Sequence, residues 1–172
     1  MQRLILAGLF CLSCLFFTCI GVPDFPLQPV ITYDKITIKK NVLESETTEN
    51  RVDSVSIFIN FQDGDGDLGM NPNESGTSPF IGERFFNYYV TAFRKSNSIT
   101  TKFREYPGFF GLLNEDLSRK RPIKGNIERF ITFQRGAVDI FPNDTMFFEV
   151  YILDRAGNRS NTITTETVIL KN

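Results

Sequence analysis

Val55, Ile57, Ile59 and Phe61 alternate with Ser54, Ser56, Phe58, Asn60 and Gln62, and this two-residue period most constrains the fold. Successive side chains of an extended strand point to opposite faces, so the segment reads as a strand with one apolar face. The same period recurs along the chain. Ile31 and Tyr33, then Ile36 and Ile38, suggest a first strand with a bulge near Asp34. Phe86, Tyr88, Val90 and Ala92 give a third strand, which turns at residues 94–97 into Ile99 to Phe103. Ile123, Ile127, Ile131 and Phe133 mark another, and Met146, Phe148, Val150 and Ile152 a further one. Ile163, Thr165, Thr167 and Ile169 close the chain. Only GFFGLLNEDLSR, Gly108 to Arg119, is a candidate for a turn or two of helix. About seven short strands divided by polar turns predict an all-β chain folded as an antiparallel β-sandwich.

The chain has 172 residues, enough for one ordinary domain. Its 19 Lys+Arg nearly balance 20 Asp+Glu, so nothing points to nucleic acid as a partner. There is no histidine, which excludes Ser-His-Asp and Cys-His nucleophiles and zinc-imidazole sites. No phosphate-binding loop or nucleophile motif is present, and the chain is expected not to be an enzyme.

Met1-Gln2-Arg3 precedes LILAGLFCLSCLFFTCIGV, which carries no charge before Asp24. A short basic start and an apolar run of this kind mark an export signal, and the run is long enough to weigh an uncleaved membrane anchor. Cys11, Cys14 and Cys19 all lie within it, so the exported body contains no disulfide. The leader resembles that of bacterial lipoproteins, in which a cysteine becomes the lipidated first residue of the mature chain. Cys19 is the candidate, because Cys14 would leave Leu15-Phe16-Phe17 at the new terminus. Residues 16–18, Phe-Phe-Thr, depart from the residues that family prefers before its cysteine. The resemblance divides the chain into a signal peptide at 1–18, a lipidated tether at 19–29 and the sandwich at 30–172. It implies a membrane-anchored protein of the cell envelope, held to the outer membrane by lipid. An uncleaved N-terminal helix and plain secretion are the alternatives.

FQDGDGDLG, Phe61 to Gly69, places Asp63, Asp65 and Asp67 at alternate positions. At a separation of about 5 Å and an effective dielectric of ~20, each pair of charges costs roughly 3 kcal/mol. A cation removes that cost, and hard oxygen ligands in this number suit calcium. Gly64 and Gly66 let the backbone fold around an ion. The spacing resembles the start of EF-hand and extracellular Asp-rich calcium loops, and Glu74 stands at the twelfth place counted from Asp63. Leu68 stands at the sixth place, where an EF-hand requires glycine, and the flanks are not helical in pattern. The plainer alternative is a solvated Asp-Gly turn.

Asp154-Arg155-Ala156-Gly157-Asn158 resembles the D-x-x-G-N turn of bacterial immunoglobulin-like domains. In a seven-stranded immunoglobulin order, that turn and the loop after the second strand share one end of the sandwich. Asp154 and Asn158 would then face Asp63, Asp65 and Asp67 and complete the ligand set, unless Asp154 only bonds the amides of its own turn. Together with the start FPLQPVITY, these motifs resemble envelope lipoproteins of Bacteroidota-type bacteria built on an immunoglobulin-like domain. The resemblance implies location and fold, and it brings no activity.

Two surface features remain. Phe58, Tyr89, Phe93, Phe147 and Tyr151 are expected on an outer face, unless Phe109 to Leu113 covers them; that face or the 63–84 loop would serve a glycan- or protein-binding envelope module, the alternative function. Arg119-Lys120-Arg121-Pro122-Ile123-Lys124 is read as a solvated basic loop.

Overall fold

β2 (Arg51–Asp63) is the central strand of a three-stranded antiparallel sheet, between β1 (Val30–Leu43) and β5 (Ile123–Gln134). A computed structural model describes residues 23–74 and 86–170. The leader with its three cysteines, including the lipidation candidate Cys19, and much of the loop after β2 therefore lie outside the described residues. In the second sheet β3 (Tyr88–Ser96) pairs with β4 (Ile99–Glu105) on one side and β6 (Thr145–Ile152) on the other. Two short strands, β7 (Ile163–Thr164) and β8 (Val168–Ile169), both pair antiparallel with β6. The expected last strand is thus broken into two pieces. Thr165, between them, turns inward, and its Oγ1 accepts the Phe148 N–H at 3.0 Å.

The two sheets share one apolar core. Val55, Ile57 and Ile59 have no exposed surface, and they join Tyr88, Val90 and Ala92 of β3 with Met146, Phe148, Val150 and Ile152 of β6. Each buried aliphatic or aromatic side chain contributes about 1.5–3 kcal/mol relative to exposure, so the alternating pattern alone accounts for the sandwich. The bulge in β1 falls between Tyr33 and Lys35, where its register with β2 shifts. At the open side of β1, Asn161 closes the gap to the second sheet. Its Oδ1 accepts the Ile31 N–H and its Nδ2 donates to the Ile31 carbonyl, both at 2.8 Å.

The expected helical turn between residues 108 and 119 does not form. Residues 106–110 instead continue the line of β4 beside the start of β3, whose backbone there offers unpaired groups that a helix would leave unmet, and 116–119 close in a turn. Tyr106 N–H bonds the Val90 carbonyl, and Gly108 and Tyr88 exchange both backbone bonds. Buried Asn87 then takes over: its Oδ1 accepts the Phe110 N–H at 2.9 Å and its Nδ2 donates to the Phe110 carbonyl at 3.1 Å. The Phe110 carbonyl also accepts the Met70 N–H, and the Leu68 carbonyl accepts the Leu113 N–H. This edge segment therefore props up the loop that follows β2. Asn87→Ala leaves the Phe110 N–H unpaired beside a cavity and removes one of the two bonds to its carbonyl, and chemical denaturation should show a loss of about 2–4 kcal/mol.

Candidate metal centre

β2 ends at Asp63, which has no exposed surface despite its charge. One of its oxygens organises the turn that follows. Asp63 Oδ2 accepts the Gly66 N–H at 2.7 Å and the Asp67 N–H at 3.2 Å, and Gly66 adopts a φ of 72° that favours glycine. The turn curls back and brings one oxygen from each of Asp63, Asp65 and Asp67 within 4.8 Å of the others. Calcium–oxygen bonds are roughly 2.4 Å long, so two ligands of one ion can stand about 4.8 Å apart. The Oδ1 atoms of all three residues are buried and have no hydrogen-bond partner. Buried polar atoms in native proteins are paired almost without exception, and here three unpaired anionic oxygens occur within five residues.

The corner at 154–158 lies at the same pole. Ala156 N–H donates to Asp67 Oδ2 at 3.2 Å, and Arg155 N–H donates to the Asp67 carbonyl at 3.3 Å. The expected convergence of the two remote turns is therefore present. The detail differs for the last two residues. Both Asp154 oxygens are occupied within the turn: Oδ1 accepts the Asn158 N–H and Oδ2 the Asn158 Nδ2, each at 2.7 Å. Asp154 thus contributes its charge from beside the triplet, and Asn158 holds Asp154 in place.

The electrostatics follow from this crowding. Burial, and then the charges of Asp67, Asp65 and Asp154, push the Asp63 carboxyl up to about 7 against the lowering bond from Gly66. Burial followed by Asp154 and Asp65 pushes Asp67 up to about 6. Asp154 is raised as well, chiefly by burial and despite its bonds to Asn158. Glu74, at the twelfth place from Asp63, does not join the cluster. Its carboxylate forms a two-pronged pair with Arg155 at 2.6 and 2.8 Å, which pulls it down to about 2. The EF-hand ligand order is therefore not reproduced.

A third segment enters the site that the sequence did not single out. Lys120 Nζ lies 3.0 Å from Asp65 Oδ2 while remaining largely exposed, and the Arg121 N–H bonds the Asp65 carbonyl at 3.2 Å. Arg121 also donates to Asn114 Oδ1 at 2.9 Å. The basic run was visible in the sequence, but its approach to Asp65 depends on the edge course of residues 106–122.

The five aromatics do not form one face. Tyr89, Phe93, Phe147 and Tyr151 share the outer surface of the second sheet, whereas Phe58 stands on the outer surface of the first, beneath Lys35 at 4.8 Å. A two-residue period tells which strand face a side chain is on, but not which sheet the strand joins. Phe109 to Leu113 does not fold over the second sheet: Phe109 packs on Phe86 at 5.3 Å, and Phe110 turns inward to Tyr88. The rings are instead stacked on one another. Tyr89 lies flat on Tyr151 at 4.7 Å and Phe93 on Phe147 at 5.1 Å, while the Arg159 guanidinium covers Tyr151 at 3.8 Å. Each stack engages one face of each ring.

Compared with protein-family models, curated proteins and solved structures, the chain matches none.

The raised carboxyls set the sign of a pH effect. With Asp63 and Asp67 above their unfolded values, the metal-free folded chain holds more protons than the unfolded chain between about pH 4 and 7. Stability then falls as pH rises through that window. Glu74 acts in the opposite direction, but only below its ordinary value. Thermal unfolding in a chelator should give a lower melting temperature at pH 7.5 than at pH 5.

Proposed function

We propose that the chain is an exported, lipid-anchored, non-enzymatic envelope protein whose immunoglobulin-like sandwich is fastened at one pole by a structural calcium ion. The observation that carries this reading is the set of three buried, unpartnered Oδ1 atoms on Asp63, Asp65 and Asp67. Oxygen-only ligands on a turn suit calcium, and the ion's role there is mechanical. It neutralises the turn after β2, on which the corner at 154–158 rests through Asp67. Asp154 adds charge that strengthens the site from its second turn. The immunoglobulin-like assignment is supported by the strand order, β1-β2-β5 against β4-β3-β6-β7, in which the third and sixth strands form the centre of the second sheet.

Export and anchoring rest on the apolar leader and on Cys19. The non-enzymatic reading rests on the absence of histidine and on the chemistry of the carboxylates. Acids packed around one point share a cation; glycoside hydrolysis needs an acid and a second carboxylate about 5 Å or more apart.

Calcium binding is tested by thermal unfolding. At calcium a hundredfold above its dissociation constant, wild type gains about 2.7 kcal/mol, which raises the melting temperature by about 5–10 °C. Chelation reverses the gain. Asp65→Ala should lose the calcium response while melting, in chelator, no lower than wild type, since one repelling charge is gone. An unchanged wild-type melting temperature over micromolar to millimolar calcium would sink the site. Anchoring is tested separately: Cys19→Ser should move the protein out of the membrane fraction and abolish a lipid-sized mass increment. Retention of that variant in the membrane would mean an uncleaved N-terminal helix instead.

A further inference from the structure

Residues 23–29, where the chain enters the sandwich, are not a free tether. Gly64, between the first two carboxylates of the triplet, donates its N–H to the Pro26 carbonyl at 2.8 Å. Two residues on, Gln28 Nε2 bonds the carbonyl of Arg159, the residue after Asn158. Pro29 is buried, and Ile31 is clamped by Asn161. The segment is thus a strap laid across the metal pole from the carboxylate turn to the corner beyond Asp154. Glycine at 64 is required by this crossing, because a Cβ there would run into the carbonyl oxygens of Phe25 and Pro26.

Resting on the calcium reading above, we infer that the ion is also the clasp of this strap, so that cation occupancy decides whether residues 23–29 are part of the domain or a loose linker. Both fastenings hang on groups that a cation sets. Gly64 N–H meets Pro26 only while the 63–67 turn keeps its curl, and that curl holds three carboxylates whose buried oxygens repel one another when no cation is present. The same turn supports the 154–158 corner through the carbonyl and Oδ2 of Asp67, and the chain runs from that corner directly into Arg159, the second fastening. The strap itself has little apolar hold: Leu27 is 64% exposed and Phe25 only half-buried. Segments with few buried contacts are the first to open. Loss of the ion therefore frees the strap before the core responds. Because the strap joins the leader to the sandwich, the ion fixes how the domain stands relative to its point of attachment.

The full chain in detergent micelles, with millimolar calcium or with EGTA, tests this by two measurements at a temperature well below unfolding. One is chymotryptic nicking after Leu27; the other is the melting temperature. Calcium should slow nicking about tenfold and chelation restore it, while Asp65→Ala should be nicked at the fast rate under both conditions. A calcium-raised melting temperature with an unchanged nicking rate overturns the clasp and leaves the structural site standing. Absence of both responses overturns the site and the clasp together. Should Asp65→Ala not fold, the wild-type comparison with and without calcium decides the matter alone.

Discussion

A carboxylate with no exposed surface must either keep a proton or face a positive charge, and Asp63 is such a carboxylate. One of its oxygens shapes the 63–67 turn; the other has no hydrogen-bond partner among the described residues. Everything at this pole is built on that turn. Asp67 carries the 154–158 corner, Asp65 receives the 120–121 segment through its carboxylate and carbonyl, and Gly64 receives the entering strap. Three segments remote in sequence thus meet on five residues whose own charges drive them apart. The apolar core closes the sandwich and takes in Leu68 beyond the end of β2, whereas the 63–67 turn meets its neighbours through polar contacts.

Much of the architecture was legible because it depends on local periodicity. Val55, Ile57, Ile59 and Phe61 had to face inward together, and the same reasoning placed Val90 and Val150. The bulge near Asp34 could be read from the slip in the apolar phase between Tyr33 and Ile36. The triplet was visible because its three acids are neighbours in the chain. Its meeting with the corner at 154–158 followed from a topological rule, since alternate strand connections lie at alternate ends of a sandwich.

The remainder depended on where edges lie, and sequence does not state that. Gly108 to Arg119 has the composition of a short helix, yet the start of β3, left unpaired where β4 ends, drew residues 106–110 into extended pairing. That course in turn brought Lys120 to Asp65, so the two misreadings share one cause. Phe58 was separated from the other aromatics for a related reason, since its strand belongs to the opposite sheet. Asn158 was read as a ligand from its place in the turn. Its side chain instead donates to Asp154, because a buried carboxylate recruits the nearest amide. Residues 19–29 were read as a tether, but Pro26 offers a carbonyl, and the Gly64 N–H found it.

Charge balance bears on which kind of cation suits the pole. Asp63, Asp65, Asp67 and Asp154 carry four negative charges when ionised. Of the cations nearby, Arg155 is matched by Glu74, Arg119 lies 3.5 Å from Asp116, and Arg121 donates to Asn114. Among the described residues, Lys120 pairs directly with the cluster, and it does so from outside, through Asp65 Oδ2; Arg155 adds an attraction to Asp67. An ammonium on a largely exposed side chain is well hydrated and does not satisfy oxygens buried behind it. A compact ion with no side chain to accommodate can enter that space. One divalent charge together with Lys120 leaves a single negative charge at the pole, where a monovalent ion would leave two. The same ion can contact three oxygens at once, which a proton cannot. The charge left unanswered therefore lies in the interior of the turn, which Lys120 meets only from the surface.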